Sequence, residues 1–174
     1  MTLAKEIIDL DPWINEIVEQ NIVLADDKGL KFITEIDPNL PKSFIGDSMR
    51  LRQIVTNLVS NAIKFTKEGQ VTLALNRMSE QTWSIVVQDT GIGIAPHKLE
   101  TIFDEFHQVD NSATREYEGT GLGLAIVRKL SMTMGGNVKA ESSLNEGSSF
   151  TVLLPIEAYT VDESTTDPTL EGVS

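Results

Sequence analysis

Residues 52–66, "RQIVTNLVSNAIKFT", carry two patterns on a single stretch of helix. Ile54, Val55, Leu58 and Ala62, with Leu51 just upstream, recur at spacings of three and four and form a stripe that must face a core. Beside it, Gln53, Asn57, Asn61 and Lys64 fall within a sector of about 80° at 100° per residue. Asparagine is a mediocre helix former, because its side chain competes for backbone hydrogen bonds. Two of them one turn apart, at the margin of a core, need a reason. One reading is a solvated face. The other is that neutral amide oxygens hold a hard cation such as Mg²⁺ while Lys64 meets phosphate. On this stretch alone both stand.

Outward from this helix, which spans from Asp47 or Ser48 to about Thr66, the chain alternates helices and strands. Upstream, Asp11-Pro12 predicts a helix start, with Ile14, Ile17, Val18, Ile22 and Ala25 on one face and Gly29 as the stop. "LKFITEI" (30–36) reads as a strand, followed by the turn-rich "DPNLPKS". Downstream, "QVTLALN" (70–76) and "TWSIVVQDT" (82–90) are strands. A short helix is expected over 96–106, a polar loop over 107–118, and a third long helix from near Gly121 to Gly135-Gly136. "NVKAESS" and "SSFTVLLP" then form a hairpin around "LNEG". This order predicts an α+β fold: a two-layer α/β sandwich whose mixed, mostly antiparallel sheet is covered by helices on one face.

Length and charge set limits. The 174 residues suit one domain. Residues 1–10 are expected to be a connection or short strand and 11–156 the domain. Residues 157–174, with five acidic residues and no Lys or Arg, read as a disordered linker. A formal net charge of −12 argues against a nucleic-acid partner, which needs clustered cations. The absence of cysteine excludes disulfides, thiolate metal sites and a cysteine nucleophile. No apolar run approaches the roughly 20 residues that span a bilayer. The fragment is expected to be cytoplasmic and monomeric, without direct membrane contact, any anchor belonging to a parent protein.

Two further stretches carry chemistry. In "TWSIVVQDTGIGI" (82–94), alternation places Trp83, Ile85, Val87 and Asp89 on one face. An aspartate ending an apolar row is costly unless a donor meets it, and a purine's exocyclic amine would be one. Gly91 and Gly93 then let the backbone turn and approach a ligand. An ordinary Asp-Thr-Gly turn would read the same way. In "EGTGLGLAI" (118–126), the spacing is neither the dinucleotide fingerprint nor a Walker loop. Its place at a helix start suits an anion, with Thr120 adding a hydroxyl and Arg115 reaching a terminal phosphate. A flexible hinge is the alternative.

Taken together and in this order, "NLVSNAIKFT", "DTGIGI", "FDEF" and "GTGLGLAI" resemble the N box, first glycine box, F box and second glycine box of sensor histidine kinase ATP-binding domains. The wider superfamily includes gyrase, Hsp90 and MutL. The likeness runs from about Asp11 to Pro155, and "GDSMRLRQIVTNL" and "FHQVDNSATREYEGTGLGLAI" look most like hybrid-type kinases. The resemblance implies a Bergerat-type fold and ATP with Mg²⁺ as ligands. Asn61 would hold the metal, with Asn57 and Lys64 beside the phosphates. Phe65 would lie against the nucleotide and Asp89 would accept from the adenine amine. Gly91, Gly93 and Ile94 would shape the adenine and ribose end. Phe103 and Phe106 would anchor a lid reaching about Glu118. Gly119, Thr120, Gly121, Leu122, Gly123 and Leu124 would close on the phosphates, with Arg115 as a lid contact.

Gyrase-like relatives place a water-activating glutamate where this chain has Asn57, whose amide is no base at neutral pH. The kinase branch is therefore implied, with Gln53 where many kinases carry an assisting acid. The implied partners are a separate dimerisation domain bearing the acceptor histidine and a response regulator receiver domain. His97 and His107, the two histidines here, lack an acceptor's context. The alternatives are a stand-alone ATPase or serine kinase of the same fold, and a degenerate docking module.

Overall fold

A computed structural model of the chain describes residues 2–104 and 123–161. Five strands form the main sheet in the order β2-β4-β5-β7-β6: Lys31–Ile36 (β2), Gln70–Arg77 (β4), Thr82–Asp89 (β5), Gly147–Pro155 (β7) and Asn137–Ser143 (β6). Only β2 and β4 run parallel; the other pairs are antiparallel. A parallel pair needs a crossover. Here it is supplied by β3 (Ser43–Gly46) and the helix α2 (Ser48–Lys64).

Alternation along the strands explains the layering. Val71, Leu73 and Leu75 of β4, Trp83, Ile85 and Val87 of β5, and Phe150, Val152 and Leu154 of β7 are buried. They meet the apolar stripes of α1 (Leu10–Asp27), α2 and α4 (Gly123–Thr133). On α2 that stripe is Leu51, Ile54, Val55, Leu58 and Ala62, the positions read from its spacing. α2 packs between α1 and α4 and over β4 and β5, so its polar edge is held against the middle of the molecule.

Four features depart from the sequence expectations. The first helix begins at Leu10 with Asp9 as its cap, not at Asp11; Pro12 falls in the first turn, where its missing N–H removes no helical bond. Residues 43–46, at the end of the turn-rich stretch, form β3 instead. It pairs with β1 (Glu6–Asp9) on one side and β8 (Glu157–Ala158) on the other, making a second sheet. Strand pairing therefore continues two residues past the expected boundary at 156, while residues 162–174 lie outside the described residues. The helix expected over 96–106 closes after Pro96–Leu99 (α3) and gives way to turns up to Asp104. A cluster of three rings joins the two sheets through α1. Trp13, Phe44 and Trp83 have centroids 5.3–6.5 Å apart, the tilted and edge arrangements that aromatic quadrupoles favour.

Candidate functional site

The polar stripe of α2 is set by how both helix ends are held. At the start, Asp47 Oδ1 accepts from the Arg50 amide at 3.1 Å, while Oδ2 accepts from the Ala4 amide at 3.0 Å. At the end, Lys28 Nζ donates to the carbonyls of Ile63 at 2.7 Å and Lys64 at 3.2 Å, a cation on terminal carbonyls that a helix dipole favours. Between these anchors, Gln53, Asn57, Asn61 and Lys64 are each half-buried. Asn57 Nδ2 reaches the carbonyl of Gly123, the first residue of α4, at 3.5 Å. The Asn61 and Gln53 side chains take no partner among the described residues. Lys64 Nζ stands 5.5 Å from the centre of the Phe65 ring.

Asp89 closes β5 at the same end of the molecule. It is 6% exposed, and its Oδ1 accepts from the amides of Gly91 at 2.9 Å and Ser148 at 3.3 Å. Burial pushes its carboxyl above the usual aspartate value, and those two amides pull the other way. Oδ2 has no donor among the described residues. A buried carboxylate oxygen without a partner is costly, and Oδ2 is the open acceptor of this strand end.

The two glycines after Asp89 let the backbone pack closely against other segments of the chain. A side chain at Gly91 would collide with the Phe65 carbonyl, and one at Gly93, where φ is +72°, would collide with the Ser143 carbonyl. Their nearest neighbours are thus other backbone segments. The Ile92 amide donates to the Phe65 carbonyl at 3.3 Å, and the Asn145 amide donates to the Ile92 carbonyl at 2.8 Å. The glycine turn is clamped between the end of α2 and the β6–β7 hairpin. Ile94 is buried against the core.

That hairpin was missed as part of the site. Ser142 Oγ accepts from the Ile94 amide at 2.7 Å and donates to the Gly147 carbonyl at 2.9 Å. It also lies 2.9 Å from Ser148 Oγ. Ser148 pairs directly with Asp89 across the sheet. A signal was present: on β7 the inward row Leu154, Val152, Phe150 ends in Ser148, just as the row on β5 ends in Asp89. Two adjacent apolar rows thus turn polar at the same sheet end.

Of the other predicted residues, Phe103 packs edge-on against Phe150 with centroids 6.1 Å apart. Leu124 is half-buried against the core, and Gly123 opens α4. Phe106, Arg115, Gly119, Thr120, Gly121 and Leu122 lie outside the described residues, as does His107. His97 is exposed on α3.

A family model described as histidine kinase-, DNA gyrase B- and HSP90-like ATPase matches residues 46–158. The chain belongs to this family. Hybrid signal transduction histidine kinase L of Dictyostelium discoideum is 36% identical over 164 residues, covering 91% of this chain and 10% of that protein. The aerobic respiration control sensor protein ArcB of Escherichia coli is 38% identical over 166 residues, covering 95% of this chain and 21% of ArcB. Among solved structures, full-length ShkA in complex with AMPPNP superposes with a TM-score of 0.82 at 33% identity, covering 92% of this chain and 33% of that one. The nucleotide-free catalytic domain of histidine kinase ThkA gives 0.73 at 27% identity, with 87% of this chain and 97% of that one covered. The chain thus spans about a tenth to a fifth of the curated relatives it matches, and the shared part is their catalytic ATPase domain. Among the described residues no helix is long and apolar enough to cross a membrane.

Proposed function

We propose that this domain binds ATP with Mg²⁺ and donates the γ-phosphoryl group to a histidine on a separate dimerisation domain of a cytoplasmic, hybrid-type kinase, from which a receiver domain takes it. The observation that carries this reading is Asp89: a buried carboxylate whose Oδ1 is saturated by two amides while Oδ2 awaits a donor. An adenine 6-amino group is a donor of that kind. ShkA's complex with AMPPNP supports an adenine nucleotide as the ligand.

In this reading Asn61 supplies an amide oxygen to magnesium, which offsets the charge of the triphosphate. Neutral, half-buried amides fit that task, since they coordinate through oxygen without adding charge. Asn57 and Lys64 lie beside the phosphates, and Phe65, Gly91, Gly93 and Ile94 line the adenosine end. Phe103 anchors the lid, with Gly119, Thr120, Gly121, Leu122, Gly123 and Leu124 closing on the phosphates and Arg115 contacting them. Asn57 cannot take a proton from water, which favours transfer to protein over hydrolysis. Gln53 stands where many kinases carry an assisting acid, and its amide supplies no such acid.

Calorimetric titration of the chain with ATP, with and without Mg²⁺, tests the reading. Asn61→Asp should weaken Mg²⁺-dependent binding by about tenfold or more and lower phosphorylation of a supplied dimerisation domain, with melting unchanged. Wild-type affinity and transfer in that variant would remove Asn61 from the metal.

A further inference from the structure

The hydroxyl contacts beside Asp89 can be assigned by counting protons. Ser142 Oγ has one proton, and the Gly147 carbonyl, which cannot donate, takes it at 2.9 Å. The Ile94 amide occupies one of its acceptor positions at 2.7 Å. The remaining contact, 2.9 Å to Ser148 Oγ, must therefore be donated by Ser148. Ser148 has then committed its only side-chain proton, and its amide proton already goes to Asp89 Oδ1. What Ser148 Oγ offers to anything else is acceptor lone pairs. Its strand partner across β5–β7 is Asp89, whose Oδ2 is an acceptor as well.

We propose that Ser142 is a specificity-determining positioning residue: by taking the Ser148 proton and holding the Ile94 amide, it makes the pocket floor acceptor-only and selects a 6-amino purine over a 6-oxo purine. The inference rests on the reading that Asp89 receives the base. A 6-oxo group brought to this floor would set a carbonyl oxygen against lone pairs from two residues. Were Ser148 free to rotate, its proton could turn outward and meet that oxygen. Ser142, which need not touch the ligand, removes this option. It sits on β6, is joined to the glycine turn through Ile94 and to the hairpin turn through Gly147, and therefore has little freedom to release Ser148.

The test compares the affinities of the whole chain for ATP and for inosine triphosphate, which share sugar and phosphates and differ in the purine 6-substituent and in the proton that the 6-oxo base carries on N1. The wild-type chain should prefer ATP. Ser142→Ala should shrink that preference by roughly fivefold, the size of one neutral hydrogen bond, mainly by improving inosine triphosphate binding. Ser142→Thr, which keeps the hydroxyl, should restore the preference. Ser148→Ala removes the acceptor itself and should shrink the preference likewise, giving an independent reading if Ser142→Ala does not fold. An unchanged ratio in Ser142→Ala, even with lower affinity for both nucleotides, would mean that Ser142 only packs the hairpin, and the proposal falls. Asp89→Asn separates the two levels. If it keeps wild-type ATP affinity, the underlying placement of the base is wrong. If it loses ATP while Ser142→Ala keeps the ratio, only the role of Ser142 is wrong.

Discussion

Two aspartates end strands at opposite ends of the same sheet, and each accepts two backbone amides. Asp37, just past β2, takes the Asn39 amide on Oδ1 and the Arg77 amide on Oδ2, both at 2.9 Å. Arg77 completes the knot by donating to the carbonyls of Asn39, Ser79 and Glu80 at 3.0–3.1 Å. The Asn39 amide, then that of Arg77, holds the Asp37 carboxyl below the usual value. Asp89 instead takes both amides on one oxygen, and burial outweighs them, so its carboxyl is pushed up. The residue type and the local turn are alike; what differs is the allocation of donors. At Asp37 the fold answers each oxygen and the turn is closed. At Asp89 one oxygen is left without a donor among the described residues, at a buried strand end.

The strongest way to break this contrast is Asp89→Asn. An amide there turns a donor toward the ligand, so nucleotide affinity should fall by about a hundredfold or more, as expected for an unmatched buried polar pair. The same variant tests the carboxylate without ligand. With its folded pKa raised, wild-type Asp89 binds more protons folded than unfolded just above the ordinary carboxylate range. Its contribution to stability therefore declines as pH rises through that window. Melting curves of the nucleotide-free chain should show this slope in wild type and lose it in the variant. An affinity within threefold of wild type would remove the distinction between the two aspartates.

Next in size is the scaffold around the Asp89 end. Gly93→Ala places a methyl at φ +72° against the Ser143 carbonyl, which cannot yield without moving the hairpin. A loss of about 1–3 kcal/mol is expected, read from denaturant unfolding, with nucleotide affinity falling as well because Ser142 and Ser148 move with that hairpin. Unchanged stability would mean that the glycine turn and hairpin are not clamped together.

How much of this was legible beforehand follows the range of the interactions. The α2 stripe, the inward row of β5 and the layered fold rest on periodicity, so they could be read locally from Leu51 to Ala62 and from Trp83 to Asp89. Asp89 itself stood out as a charge ending an apolar row. β3 could not be read, because Ser43–Gly46 becomes a strand only by pairing with Glu6–Asp9 and Glu157–Ala158, segments far away in sequence. The protein neighbours of Gly91 and Gly93 could not be read for the same reason. Local pattern shows that a backbone approaches something closely, and only the fold reveals that the neighbours are Phe65 and Ser143. Ser142 was passed over because a serine in a strand looks ordinary until its three partners are in place.

The smallest effect is expected at the closed end, and its sign is opposite. Asp37→Ala removes an acceptor from two amides, yet the site is distant along the strands from Asp89, since β4 pairs Val71 with Asp89 and ends at Arg77. The folded pKa of Asp37 is lowered, so its stabilisation is present above the ordinary carboxylate value and lost as pH falls through the folded one. Wild type should thus lose stability on acidification through this range by more than the variant does, while at neutral pH the variant melts slightly lower. ATP affinity should stay within twofold of wild type. One carboxylate therefore weakens the fold as pH rises and the other strengthens it, and the two slopes can be separated in the double variant. If Asp37→Ala instead altered nucleotide binding as Asp89→Asn does, the withheld oxygen would not be what separates a ligand-facing aspartate from a structural one.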